Sequence, residues 1–151
     1  MKKTSVYLDN CTYNRPFDDQ TQILITLETE AKRYIQQLIV ETKIDLAYSF
    51  INRFENSKNK KTLNRYSIDL FFQNANQYID HSNAVNIGKR AVEIMETGVK
   101  TRDAYHVSCA IEGNCDYFIT TDKSLLKHNN SKIIICNPIQ FLNYYKEEQN
   151  D

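Results

Sequence analysis

Short apolar, β-rich runs alternate with longer stretches of helical spacing from one end of this sequence to the other, and that alternation limits the fold more than any other feature. The runs occupy residues 4–8, 43–48, 77–80, 117–121 and 132–136. Between residues 21 and 41, Leu24, Leu27, Ala31, Tyr34 and Leu38 recur at helical steps, which predicts one long amphipathic helix. Residues 49–56 read as a short helix with Phe50, Ile51 and Phe54 inward and Glu55 at its end. Helical spacing returns over 62–74 through Leu63, Tyr66, Leu70 and Phe71, and over 84–97 through Val85, Gly88, Ala91, Val92 and Met95. Gly98 is placed to end that helix in the left-handed conformation. Thr101 reads as the N-cap of the next helix, with Ala104, Val107, Ser108 and Ile111 inward. A short helix over 122–127 and a terminal one over 138–146, with Pro138 in its first turn, complete the pattern. Strands separated by helices imply a parallel sheet covered by helices on both faces.

The chain of 151 residues suits one domain, and ten Tyr with seven Phe supply a core. Nineteen basic side chains balance nineteen acidic ones, so any nucleic-acid contact must rest on local patches. The cysteines, Cys11, Cys109, Cys115 and Cys136, form no CxxC pair and have no histidine cluster beside them. They read as reduced, buried thiols and not as a zinc site. No run has signal-peptide character or the length of a membrane span, so a cytoplasmic protein is expected. GxGxxG and GKS/GKT motifs are absent.

In parallel α/β sheets, ligands sit beyond the carboxyl ends of the strands. Asp9 and Asp122 fall at or just past such ends, and Asp103 opens a helix that can enter the same crevice. Each has an ordinary explanation: a turn residue, a helix-dipole partner and an N-cap, respectively. Glu55, taken alone, is a solvated helix residue. Together these acids would repel one another, and a cation offsets that cost. Oxygen ligands without Cys or His suit Mg²⁺ or Mn²⁺, which can position water for attack on phosphorus. His106 has no matching histidine partner and reads as structural.

The run DAYHVSCAIEGNCDYFITTDKSLLK, with VYLDN near the N-terminus, resembles the PIN-domain family, whose members include the VapC-like toxin ribonucleases of bacterial toxin–antitoxin pairs. The resemblance extends over nearly the whole chain in order and spacing. It implies a single-domain α/β/α sandwich with a central parallel sheet over residues 1–146, followed by a short polar tail at 147–151. It also implies Mg²⁺- or Mn²⁺-dependent cleavage of RNA, with an antitoxin protein and a homodimer as partners. Carried over to this chain, the family's acids fall on Asp9, Asp103 and Asp122, and its hydroxyl residue falls on Thr120. Glu55 is the best fit for the second acid, with Glu41 as competitor. Asn10 stands where the family commonly has a small hydroxyl residue. Arg15, in the loop NRPFDD, meets either a phosphate or a neighbouring acid.

Lys58, Lys60, Lys61 and Arg65, or Lys100 and Arg102, are candidates for holding an RNA backbone, although a solvated loop explains the first group as well. Two other readings stay open. One is a phospho-accepting receiver domain, with Asp80 after the third strand. The other is a PIN scaffold that binds a partner or RNA without cleaving it.

Overall fold

The computed structural model describes residues 2–150; Met1 and Asp151, the outermost residues of the expected domain and tail, lie outside the described residues. The strands are β1 (Ser5–Leu8), β2 (Asp45–Ser49), β3 (Gln77–Ile79), β4 (Tyr117–Ile119) and β5 (Ile134–Cys136). They form one sheet in the order β3-β2-β1-β4-β5, and every pairing is parallel. The helices are α1 (Asn10–Asn14), α2 (Ile23–Val40), α3 (Phe50–Ser57), α4 (Thr62–Phe71), α5 (Ala84–Met95), α6 (Thr101–Glu112) and α7 (Pro138–Gln149).

Strand side chains alternate between two cores, because successive residues point to opposite faces. Tyr7, Ala47 and Phe118 meet α5 and α6 on one face. Val6, Leu8, Leu46, Tyr117 and Ile119 meet α2 and α7 on the other. With both faces covered, the strands have no polar side to show, which is why they read as unbroken apolar runs. The architecture is the expected α/β/α sandwich.

Several details differ from the sequence reading. Asn10, read as part of a turn, and the start of the loop NRPFDD fall in α1 and a 3-10 turn, Arg15–Phe17. A helix of one turn is too short to display a period. Of the apolar stripe expected on α2, Ala31 and Leu38 are buried, but Leu24, Leu27 and Tyr34 are exposed, and Ile35 and Ile39 are buried instead with Glu28 and Lys32. Phe54 on α3, Leu63, Tyr66 and Leu70 on α4, and Val85 and Val92 on α5 also face outward. In their place Asn52 and Asn56, Ile68, and Ile87 and Ile94 are buried, while Ala91 is buried as expected. Lys100, not Thr101, holds the N-cap position of α6, and its side chain makes no capping bond. Residues 122–127 form only a 3-10 turn, Leu125–Lys127, and α7 continues past Lys146 to Gln149. Gly98 takes φ +102, the left-handed conformation expected of it.

Cys109, Cys115 and Cys136 are buried and all four cysteines are free; burial pushes the thiols of Cys11, Cys109 and Cys136 up to about 12. Among the described residues, no helix is long and apolar enough to cross a membrane.

Candidate metal centre

All five strands run the same way, so their carboxyl ends share one edge. Asp9 directly follows β1, and its backbone N–H donates to Ile119 O at 2.9 Å, extending the β1–β4 ladder. Thr120 directly follows β4. Its hydroxyl donates to Asp9 Oδ2 at 2.9 Å and accepts the Asp122 N–H at 3.0 Å. One buried hydroxyl thus ties the first acid to the loop that carries the last.

Ser49 ends β2 and caps α3. Its Oγ accepts the N–H groups of Ile51 and Asn52, while Asn52 Oδ1 accepts the Ser49 N–H at 2.9 Å. Asn52 is fully buried and donates to Leu8 O at 3.1 Å and Asn10 Oδ1 at 2.7 Å. Asn10 donates in return to Asn52 O at 3.0 Å. The amide at the position after the first acid therefore locks α3 against the end of β1. That lock sets the direction in which α3 presents Glu55.

Asp103 sits in the first turn of α6, where the helix dipole favours an acid, and His106 lies one turn later on the same side. His106 is fully buried. Its Nε2 stands 2.7 Å from Glu55 Oε1 and 3.9 Å from Asp9 Oδ1. One donor atom from each of Asp9, Glu55 and His106 lies within 4.8 Å of the others. The sequence reading set His106 apart as structural; its i, i+3 relation to Asp103 was the signal that it shares the acidic face.

Asp103 and Asp122 stand outside that tight triple yet share its field. Burial and the charges of Asp9, Asp122 and Glu55 push the Asp103 carboxyl up to about 6, against the pull of His106. Burial also acts upward on Asp122, but the hydroxyl and backbone N–H of Ser124 and the backbone N–H of Leu125 outweigh it and hold that carboxyl below its ordinary value. Ser124 donates to Asp122 Oδ1 twice, from N at 2.9 Å and from Oγ at 2.8 Å. Burial lowers the basicity of His106, while the Glu55 bond and the nearby charges of Asp9, Glu55 and Asp103 raise it further, for a net upward shift.

Glu41, the competitor for the second acid, is exposed at the C-terminus of α2 and bonds to Gln37 at 2.9 Å. It precedes β2 and so belongs to the opposite edge of the sheet. Arg15 is engaged within the protein: Nη1 donates to Asp18 at 3.0 Å, and Nε lies 3.2 Å from buried Glu28 Oε1. That second contact is close enough for an ion pair but misaligned for a hydrogen bond. Of the basic residues, Arg102 lies 3.5 Å from Glu55 and Lys100 is close enough to lower the Asp122 carboxyl. Arg65 instead donates to Asn59 O at 3.1 Å, and Lys58 lies over the Phe54 ring at 5.1 Å.

The donor set is mostly carboxylate, crowded enough to raise one member's affinity for protons. That is the condition a divalent cation relieves, and oxygen donors suit a hard one. Among the described residues, the group whose donor atoms lie close enough to share one ion is Asp9, Glu55 and His106, with Asp103 in the same field. The sheet order excludes the receiver-domain alternative, because β3 lies at the edge with β2 between it and β1. Asp80 therefore stands away from Asp9, exposed and bonded to Ser82.

No protein-family model matches the sequence, and no curated protein matches it. Among solved structures, the chain is similar to a chain of VapBC2 from Rickettsia felis, determined bound to a DNA fragment from their promoter. The TM-score is 0.56 and the identity 19%, over 89% of this chain and 98% of that one. At that identity the likeness is one of fold, and the parallel α/β/α architecture expected from the resemblance to PIN-domain proteins is the one this chain adopts.

Proposed function

We propose that this protein is a Mg²⁺- or Mn²⁺-dependent endoribonuclease that hydrolyses RNA phosphodiester bonds, and that it serves as the toxin of a toxin–antitoxin pair. The observation that carries the reading is the cluster at the carboxyl edge, where donor atoms of Asp9, Glu55 and His106 lie within 4.8 Å of one another, and where burial together with the charges of Asp9, Asp122 and Glu55 raises the Asp103 carboxyl. Excess negative charge of this kind is costly in a structural pocket and useful in one that binds a cation. A bound divalent ion supplies an activated water and neutralises charge on the leaving oxygen.

The chain's own residues do the rest. Thr120 fixes the Asp9 carboxylate, and Ser124 fixes that of Asp122. Asp103 is available to orient water by accepting its proton. Lys100 and Arg102, at the start of the helix that bears Asp103, hold the RNA backbone beside the acids. The exposed apolar residues Phe54, Leu63, Tyr66 and Leu70 of α3 and α4 offer area to a protein partner, and the solved relative is itself an assembly called VapBC2.

Incubating the purified chain with RNA and Mn²⁺, with EDTA and Asp103→Asn as controls, tests the activity. Cleavage that needs the ion and disappears in Asp103→Asn is expected. RNA left intact by the folded wild-type chain with either ion would favour a scaffold that only binds. Growth arrest on expression, relieved by a co-expressed small protein from a neighbouring reading frame, tests the toxin assignment.

A further inference from the structure

His106 has no role in the acid set described above, yet it is fully buried among those acids and both of its ring nitrogens are bonded. Nδ1 lies 2.6 Å from the Tyr7 hydroxyl, and that hydroxyl lies 2.6 Å from Ser49 Oγ. Tyr7 is itself fully buried in β1 and stacked on Phe118 of β4, with centroids 5.3 Å apart and planes 15° apart. The chain Ser49–Tyr7–His106–Glu55 therefore runs from the cap of α3 through the sheet and α6, then back to α3.

The direction of its hydrogens follows from the ends. Ser49 Oγ already accepts the N–H groups of Ile51 and Asn52. Its own hydrogen is then directed to the Tyr7 oxygen, and the Tyr7 hydrogen to His106 Nδ1. A neutral ring with Nδ1 accepting carries its proton on Nε2, which donates to Glu55 Oε1. Ligation of a cation by Nε2 would need the reverse polarity, with Ser49 Oγ accepting a third hydrogen. The other partner of Glu55, Arg102, sits on a mostly exposed side chain at 3.5 Å and holds it weakly.

We propose that His106 is a positioning residue: oriented by Ser49 and Tyr7, it donates from Nε2 to Glu55 and holds that carboxylate beside Asp9 for cation binding. The inference rests on the metal-dependent reading above and adds to it the group that aims the second acid. Partners of this kind around metal-ligating groups are worth about 10–100-fold in metal affinity.

Two measurements test it. Nitrogen-15 NMR of the metal-free wild-type protein, with the ring neutral, should show His106 protonated at Nε2 and bare at Nδ1; the opposite pattern overturns the proposal. Tyr7→Phe, which keeps the stacked ring and removes the hydroxyl, should leave the Nε2 proton donated to Glu55 and shift the resonance of Nδ1, the atom that loses its hydrogen bond; an unshifted Nδ1 overturns the Tyr7 link. Mn²⁺ binding, followed by electron paramagnetic resonance, should weaken about 10-fold or more in His106→Leu and recover in part in His106→Gln, which restores an N–H near Nε2. In a Glu55→Gln background, His106→Leu should cost nothing further. An equal loss in that background would make His106 a direct ligand. Unchanged binding by a folded His106→Leu protein would leave it a core residue only. A folded wild-type chain that binds no Mn²⁺ overturns the metal reading and this inference with it, whereas the nitrogen pattern tests the hydrogen-bond chain without any metal.

Discussion

At the scale of single residues, Asp103 is where the proposed cation site would oppose stability. Its folded carboxyl lies at about 6 against an ordinary 3.8. A raised acid contributes stability that is complete below the unfolded value and lost as the pH climbs through the folded one. The metal-free protein should therefore lose stability between about pH 4 and pH 6 through this group. Asp103→Asn removes that loss, and we expect it to stabilise the metal-free protein at neutral pH by about 1 kcal/mol after solvent screening of a half-buried site. Thermal melts should register this as a rise of about 2–4 °C, while cleavage disappears. A lower melting temperature would contradict the crowding of charge. Asp122 behaves oppositely: its lowered carboxyl contributes stability above the ordinary 3.8, lost as the pH falls through its folded value. The two acids of one loop-and-helix block thus share a pocket but not a titration, because Ser124 solvates only Asp122.

Among the elements, α3 shows best what a periodicity reading can miss. Its apolar residues suggested an inward Phe54, yet Phe54 faces solvent and the buried positions hold Asn52 and Asn56. Hydrogen bonds to Leu8 O, Asn10 and Ser49 seat this helix in place of apolar contact. Asn52→Ala should cost about 3 kcal/mol in urea unfolding, because several buried polar groups lose their partner at once. A loss below about 1 kcal/mol would show that the network is not what seats α3. Between α5 and α6, Gly98 at φ +102 lets the chain reverse towards Asp103. Gly98→Ala should cost about 1 kcal/mol from the left-handed conformation, with the added methyl within ordinary contact of His128 at 3.5 Å. Helix existence was readable at α2, α4, α5 and α6; the buried face was readable at α6, where Ala104, Val107 and Ser108 are buried, but only in part or not at all on the other three. On α2 the alternative stripes lie a fraction of a turn apart, and packing against α7 selects the one containing Ile35 and Ile39.

For the molecule as a whole, the balance of nineteen basic and nineteen acidic residues means that the RNA of the proposed reaction would have to be held by local patches. With Lys100 and Arg102 as the backbone contacts beside the acids, the logarithmic salt slope for single-stranded RNA should be about −1 to −2, at roughly −0.7 per phosphate. Anisotropy titrations over a range of salt would measure it, and a slope steeper than about −4 would require a further basic surface. Cation binding to the folded state alone should stabilise the whole protein by about 2.7 kcal/mol at one hundred times the dissociation constant. Mn²⁺ should accordingly raise the melting temperature of the wild type and EDTA should reverse it, with little response in Asp103→Asn.

The sequence by itself determined the layer architecture and pointed to the acids. Strands buried on both faces must be apolar throughout, and acids that follow such strands announce themselves by breaking the run, as Asp9 and Asp122 do. The spacing DAYH also carried His106 on the same helix face as Asp103. Only the tertiary structure decided that His106 bonds Glu55, that Glu55 and not Glu41 stands at the acidic edge, and that β3 lies too far out for Asp80 to join Asp9. Each of these depends on which strands are neighbours and how a helix is rotated about its axis. Contacts between residues 50 to 100 positions apart set both, and no local period encodes them.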